Sequence, residues 1–296
     1  MHHQGREEPG PPAGDPPLNA DPLSPTEAGH DSLPPQPVRR SYPLPTHPVI
    51  VTPAILVLNL LIFAAMWIVG GPEDACVLLR FGAKFNYLIV QGEWWRLLSS
   101  IFLHIGIVHL LFNEYALWAF GREIERLFGS VRFTLIYLLA GLFGSTASFA
   151  LSPAISAGAS GAIFGMIGAQ VAFFFRNRAR FGEMGRRQLT SLLGVIGVNL
   201  FLGVTIPGID NLAHLGGLVT GFLLGLVLTP LYDFTAPDEF RDVRARVVDR
   251  NNLARGSWAV ALAALILAGL FFSAQTITPI SRFADNLVLQ CRGLSN

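Results

Sequence analysis

The chain is short of charge. Asp, Glu, Lys and Arg make up only 14% of its 296 residues, while 51% are hydrophobic. With a mean hydropathy of +0.48 it is too apolar for an ordinary soluble domain. The net charge of +1 gives no electrostatic footprint for a nucleic-acid partner. Cysteine is nearly absent: Cys76 and Cys291 alone cannot compose a cysteine metal site. Lysine is rarer still, with Lys84 standing against a large excess of arginine, a bias that fits a GC-rich genome. No apolar core precedes residue 49, so a cleavable signal peptide is not expected. Residues 1–47 hold most of the prolines and almost no large apolar side chains. They cannot bury enough surface to offset chain entropy, which predicts a disordered tail, a spacer rather than a docking peptide.

What the chain does have is long apolar runs. About 20 apolar residues are needed to span a bilayer core as a helix. Stretches near 49–70, 97–120, 132–151, 160–175, 189–206, 212–231 and 257–275 meet or approach that length. The fourth and fifth are short, which a buried helix opening on a cavity tolerates. Basic residues orient them. With the N-terminus cytoplasmic, the outer set is only Arg80, Lys84, Arg96, Arg282 and Arg292, and the remaining arginines fall inside. The loops around 152–159 and 207–211 carry no basic residue and are expected outside. The aromatic-rich stretch 72–96, with Phe81, Phe85, Tyr87, Trp94 and Trp95, reads as an outer loop partly embedded beside the bundle. Cys76 and the tail residue Cys291 also fall outside, where oxidation is possible. A bridge between them is one reading; two unrelated thiols is the preferred one.

Polar groups in such sequence need a reason, because they are costly unless they pair or work. Ser160 opens the fourth apolar run within Gly158-Ala-Ser160-Gly161. Glycines allow close approach, and a helix start offers free N–H groups for an oxyanion. His214 opens the sixth run, followed by Gly217, Gly221 and Gly225 at a spacing of four. That glycine face and the Gly158, Gly161, Gly165, Gly168 face invite the two helices to touch. Contact would bring His214 to Ser160, as an activated nucleophile requires. Both helices run inward from the outer side, so both residues are expected at shallow depth. His109 and Asn113, four apart in the second run with His104 before them, are donors suited to an oxyanion hole. A metal reading lacks a carboxylate on that face and is set aside, since Glu114 points elsewhere. Asp210, four residues before His214, is expected to cap its helix rather than back the imidazole, which predicts a dyad.

Taken together, these residues resemble the rhomboid family of intramembrane serine proteases. The matching pieces are Trp95-Arg96, His104-x4-His109-x3-Asn113, and Gly121-Arg-Glu-Ile-Glu125-Arg-Leu-Phe-Gly129-Ser. Gly158-Ala-Ser160-Gly161 and Ala213-His214-x2-Gly217-x3-Gly221 complete them, over residues 49–231. The resemblance implies Ser160 as nucleophile and His214 as general base. It implies His109, Asn113 and the Ser160 N–H as the oxyanion hole. Trp95 and Arg96 take a structural role, and Glu125 braces the inner helix ends. Phe164 takes an aromatic position packed on the histidine, without the hydroxyl of the tyrosine frequent there.

The expected fold is an all-α polytopic bundle, a six-helix core at 48–232 with a C-terminal seventh helix at 257–275. A cytoplasmic linker (233–256) and an outer tail (276–296) complete the chain. The resemblance implies peptide-bond hydrolysis in or near transmembrane segments of other proteins, with no cofactor and no metal. The expected site is a bacterial inner membrane with the active site facing outward. The rival readings are a catalytically dead scaffold, which would have lost Ser160 or His214, and a small transporter, which would show intramembrane charge pairs or broken helices in matched halves.

Overall fold

The computed structural model describes residues 46–235, 246–251, 253–280 and 284–293. The tail read at 1–47 falls almost wholly outside the described residues, as do parts of the linker and of the C-terminal tail. The helices begin with α1 (Val51–Val69), whose mean hydropathy of 2.2 marks it as a span. Two short helices follow in the aromatic stretch, α2 (Ala75–Phe81) and α3 (Asn86–Val90), then α4 (Arg96–Ser99), continued by a 3-10 turn at Ser100–Phe102. Next is a long rod: α5 (Ile107–Ala116), a π-helical turn at Leu117–Gly121, and α6 (Arg122–Phe128). Then come α7 (Ser130–Leu151), α8 (Ser160–Arg176), α9 (Arg178–Thr205) and α10 (Asn211–Leu228). A two-stranded antiparallel ribbon, β1 (Tyr232–Thr235) with β2 (Arg246–Asp249), precedes α11 (Leu253–Ile277) and α12 (Ala284–Cys291).

Among the described residues five helices are long and apolar enough to cross a membrane, and six when Arg96–Phe102 is joined to Ile107–Phe128. The protein is an integral membrane helix bundle. The second span was expected to run unbroken from 97 to 120; it is bent by 87° between those two halves. Gly106, at φ 79, supplies a backbone state that other residues resist, and the chain restarts there as α5. α8 is short because it is enclosed: nearly every residue from Gly161 to Phe174 is buried, so it need not match a lipid thickness.

The core is a wedge of α7, α8 and α10 packed through glycines. A β-carbon at Gly217 would lie 1.9 Å from the Gly161 carbonyl oxygen, and one at Gly221 1.9 Å from that of Gly165. One at Gly225 would lie 2.7 Å from Ala169 Cα. Both helices advance together through these contacts, so α8 and α10 are parallel and close enough for direct backbone contact. α7 enters the same way: a β-carbon at Gly144 would meet the Ala213 carbonyl oxygen at 2.6 Å.

At the opposite end from Ser160, Glu125 gathers three segments. Its carboxylate accepts from the N–H groups of Ile50 (2.9 Å), Val51 (2.8 Å) and Thr52 (2.8 Å). It also accepts from the Thr52 and Ser130 hydroxyls, each at 2.7 Å. These are the orphan donors of the α1 N-terminus and the start of α7, satisfied by one charge. The ribbon, absent from the expected linker, closes the base of the bundle. Asp249 pairs with Arg132 of α7 at 2.8 Å, and Asn251 Nδ2 donates to the Val227 and Thr229 carbonyls at 2.7 and 2.8 Å.

The preferred reading of two separate thiols is corrected. Cys76 and Cys291 form a disulfide, with α-carbons 5.0 Å apart. The residues beyond α11 fold back as α12, whose Ala284 and Val288 pack on Leu79, Phe85 and Leu88. This apolar contact carries the cysteines together; their sequence separation of 215 residues hid it.

Candidate active site

Gly158 has φ 143 and donates its N–H to the Ser100 carbonyl at 2.9 Å, which turns the chain into α8. Ala159 at the N-cap is fully buried and brings no capping side chain. Ser160 therefore stands at a helix start whose first N–H groups lack intrahelical acceptors. It is half-buried, unlike the residues behind it.

His214 sits in the first turn of α10 and is 7% exposed. The glycine register fixes its level: a β-carbon at Gly161 would meet the Ala213 carbonyl oxygen at 3.3 Å and Ala213 Cβ at 3.8 Å. Ser160 and His214 thus lie at the same height on adjoining helices. The Phe164 ring stacks on the imidazole, centroids 4.3 Å apart and planes within 8°. His214 Nδ1 is buried without a hydrogen-bond partner. Among the described residues no carboxylate hydrogen-bonds it: Asp210 Oδ1 accepts from the Ala213 N–H at 3.0 Å and Oδ2 from the Ser148 hydroxyl. Asp210 is the helix cap. Among the described residues no hydrogen bond links Ser160 Oγ to the imidazole; such bonds commonly tighten only with substrate present.

The third wall comes from α5. A β-carbon at Gly158 would lie 2.8 Å from His109 Nε2 and 3.7 Å from Ser160 Oγ, so the His109 ring and the hydroxyl border one small space. Any side chain at 158 would fill it. Asn113 Nδ2 donates to the His109 carbonyl at 2.9 Å, which fixes the amide orientation, since a flipped amide would set oxygen against oxygen. Its second N–H hydrogen remains for another acceptor. His104 is fully buried edge-on to His109, centroids 5.5 Å apart, with neither ring nitrogen bonded. An attacking hydroxyl, an imidazole and donors facing a developing oxyanion are the parts that acyl transfer needs.

Trp95 and Arg96 instead hold the loop. Arg96 donates from Nη1 to the Leu79 and Ala83 carbonyls at 2.8 and 3.2 Å and pairs with Glu93 at 2.5 Å. It also lies 4.8 Å from the Trp95 ring centroid.

Lys84 was counted among the outer charges, but it is 1% exposed. Its backbone pairs with Ser156 in both directions, at 2.9 and 3.0 Å. Its ammonium donates to the Ser152 and Ala154 carbonyls at 2.9 and 2.8 Å. Lys84 therefore holds the loop that leads into Ser160. Burial lowers its pKa to about 8, against a smaller opposing pull from Asp210. Asn86 works beside it, donating to the Ser152 carbonyl at 2.9 Å and to Pro279 at 2.8 Å, which ties the end of α11 to the same loop. The signal for Lys84 lay in composition: a lone lysine in an arginine-rich chain marks a place where a compact, multi-donor ammonium is needed.

The sequence comparisons agree with this geometry. The Rhomboid domain model matches residues 91–231, from the loop before α4 through α10. The chain is 50% identical over 173 residues to Rhomboid protease GluP of Bacillus subtilis, covering 58% of this chain and 34% of that protein. It is 37% identical over 220 residues to RHOMBOID-like protein 2 of Arabidopsis thaliana, 62% of this chain and 68% of the relative. It is 33% identical over 168 residues to the putative rhomboid protease YdcA of Bacillus subtilis, 55% and 83%. The match thus spans a third of one relative and most of another. A bent second span, a buried glycine-seamed α8 and long matches to such relatives have one common account: this chain belongs to the rhomboid family.

Proposed function

We propose that the protein is an intramembrane serine endopeptidase that cuts peptide bonds in or near transmembrane segments of other membrane proteins. The observation that carries this reading is the juxtaposition of Ser160 and the Phe164-stacked His214 at one level of the α8–α10 seam. The half-buried hydroxyl and the His109 ring beside it add support.

In this mechanism the Ser160 oxygen attacks the scissile carbonyl while His214 takes the hydroxyl proton. The oxyanion is held by the His109 ring, the Asn113 amide and the Ser160 N–H. His214 then gives its proton to the leaving amine, which departs, and leaves an acyl-serine. Water, activated by the same imidazole, hydrolyses the ester and restores the hydroxyl. With Asp210 committed to the helix cap, a dyad acts rather than a triad. A helical substrate hides its carbonyls and must unwind first, which favours small, helix-weakening residues at the cut. α9 and the loop before α10 are the elements placed to admit it. No cofactor or metal takes part in this scheme.

The arginine asymmetry supports a cytoplasmic N-terminus and ribbon, with the site opening to the outer side. A bacterial cytoplasmic membrane is the proposed location, and 48–232 the catalytic core. The test is cleavage of a model transmembrane substrate in liposomes. Wild type should cut, while Ser160→Ala and His214→Ala should not, although both remain folded. A fluorophosphonate should label Ser160. Cleavage by Ser160→Ala would overturn the assignment of nucleophile; a folded wild type that neither cuts nor labels would favour a client-binding scaffold.

A further inference from the structure

The rod Ile107–Phe128 carries more than its buried face. Its other side presents Val108, Leu111, Phe112 and Tyr115, which line a shallow cavity of about 370 Å³. Phe112 and Tyr115 are 71% and 69% exposed. The spacing puts all four on one stripe. Through the π-helical turn the stripe continues into a second shallow cavity of about 290 Å³, lined by Trp118, Ala119, Arg122, Glu123 and Arg126. The Tyr115 ring stacks on Trp118 with centroids 6.4 Å apart, and the Arg122 guanidinium lies 4.6 Å from the Trp118 ring centroid. Among the described residues neither Arg122 nor Arg126 takes part in an ion pair, although Arg96, Arg132 and Arg187 all do. Glu123 in the lining leaves the pocket with one net positive charge.

We propose that this face is a binding site for one anionic phospholipid, its phosphate on Arg122 and Arg126 beside Trp118 and an acyl chain along Val108–Tyr115. The dimensions agree. From Val108 to Arg122 a helix rises about 21 Å, longer than the ~15 Å of one hydrocarbon leaflet. A guanidinium pair matches a phosphate diester with parallel donors, and Trp with Arg is the side-chain chemistry of the headgroup level. A lipid fits the stripe better than a second helix does. Close helix pairing needs small residues at the contact, and here the contact would be leucine and aromatic rings. The inference is independent of the peptidase reading.

The experiment uses the full chain in nanodiscs carrying a photoactivatable phosphatidylglycerol or, in parallel, the matching phosphatidylcholine, with labelled peptides mapped. Phosphatidylglycerol should label the 107–128 peptide several-fold more than phosphatidylcholine does. Each arginine near an anionic lipid contributes about fivefold, so Arg122→Gln with Arg126→Gln should cut that labelling by about 25-fold. Arg187→Gln, which removes an exposed arginine bridged to Glu183, should leave it unchanged. Equal labelling by both lipids, labelling undiminished in the double variant, cross-linking to a second copy instead, or displacement by inorganic phosphate would each overturn the proposal. If the double variant does not fold, the wild-type ratio of the two lipids decides alone.

Discussion

α10 and α9 are both apolar, glycine-containing spans, yet they are used in opposite ways. In α10, 39% of the most apolar window is buried; in α9 only 6% is. The glycines of α10 press on the backbone of α8, whereas Gly194 and Gly197 of α9 have nothing within 4 Å of where a β-carbon would be. Glycine in a membrane helix is thus two different things: a contact surface along α10, and at positions 194 and 197 of α9 a local loosening of backbone. The wedge of α7, α8 and α10 is rigid where Ser160 and His214 need placing. α9 faces mostly outward, held by Leu192 and Ile196 in the core and by the Asn211 amide, which donates to the Leu200 carbonyl at 3.0 Å.

The comparison can be broken at its strongest point first. Gly221→Leu, forcing a side chain into the Gly165 carbonyl, should prevent recovery of folded protein, a cost above about 3 kcal/mol. Gly197→Leu should stay within about 1 kcal/mol of wild type. Thermal unfolding in one detergent checks both, and equal tolerance would mean that the seam is not the organising contact. Next is Glu125→Ala, which orphans three N–H groups and two hydroxyls at the base of the wedge. The expected loss is about 3–5 kcal/mol, read from the same melts.

Lys84 gives a pH signature. Its folded pKa, about 8, lies below the unfolded value, so between about 8 and 10.5 the unfolded chain holds a proton that the folded chain has released. Stability should therefore rise with pH across that window, by up to about 3 kcal/mol for the full shift. Lys84→Met should flatten this part of the profile; an unchanged profile would remove the buried ammonium from the account. Smaller still is the effect of Cys76→Ser. An inserted denatured chain keeps its helices, so closing the loop constrains it less than in water, and a cost of about 1–2 kcal/mol is expected. The damage should be local, seen as faster proteolysis near α12 with the wedge intact. Smallest is Gly197→Ala, which should gain up to about 1 kcal/mol from helix propensity alone.

The spans were legible because length and hydropathy are properties of a segment taken by itself. So was the Asp210 cap, whose partner is three residues away. The level shared by Ser160 and His214 followed from the reading that both residues begin helices running inward from the outer side. What could not be read depends on distant neighbours. The bend before α5 rests on the positive φ of Gly106, within a run long enough to read as one span. The burial of Lys84 needs Ser152 and Ala154, carbonyls with no signature in a sequence. The ribbon pairs strands whose register, Tyr232 with Asp249, only the folded base of the bundle specifies.

The Cys76–Cys291 bridge also has a consequence for counting. Two cysteines can join only on the same side of a bilayer, so the chain between them must cross it an even number of times. Between them lie the bent pair, α7, α9, α10 and α11, and also α8, which at 17 residues falls below the usual length for a span. With the bent pair counted as one crossing, leaving out α8 makes the crossings odd and puts the thiols on opposite sides. The covalent bond therefore acts as a parity check on the whole topology: it requires the shortest, most enclosed helix, the one that begins with Ser160, to cross completely.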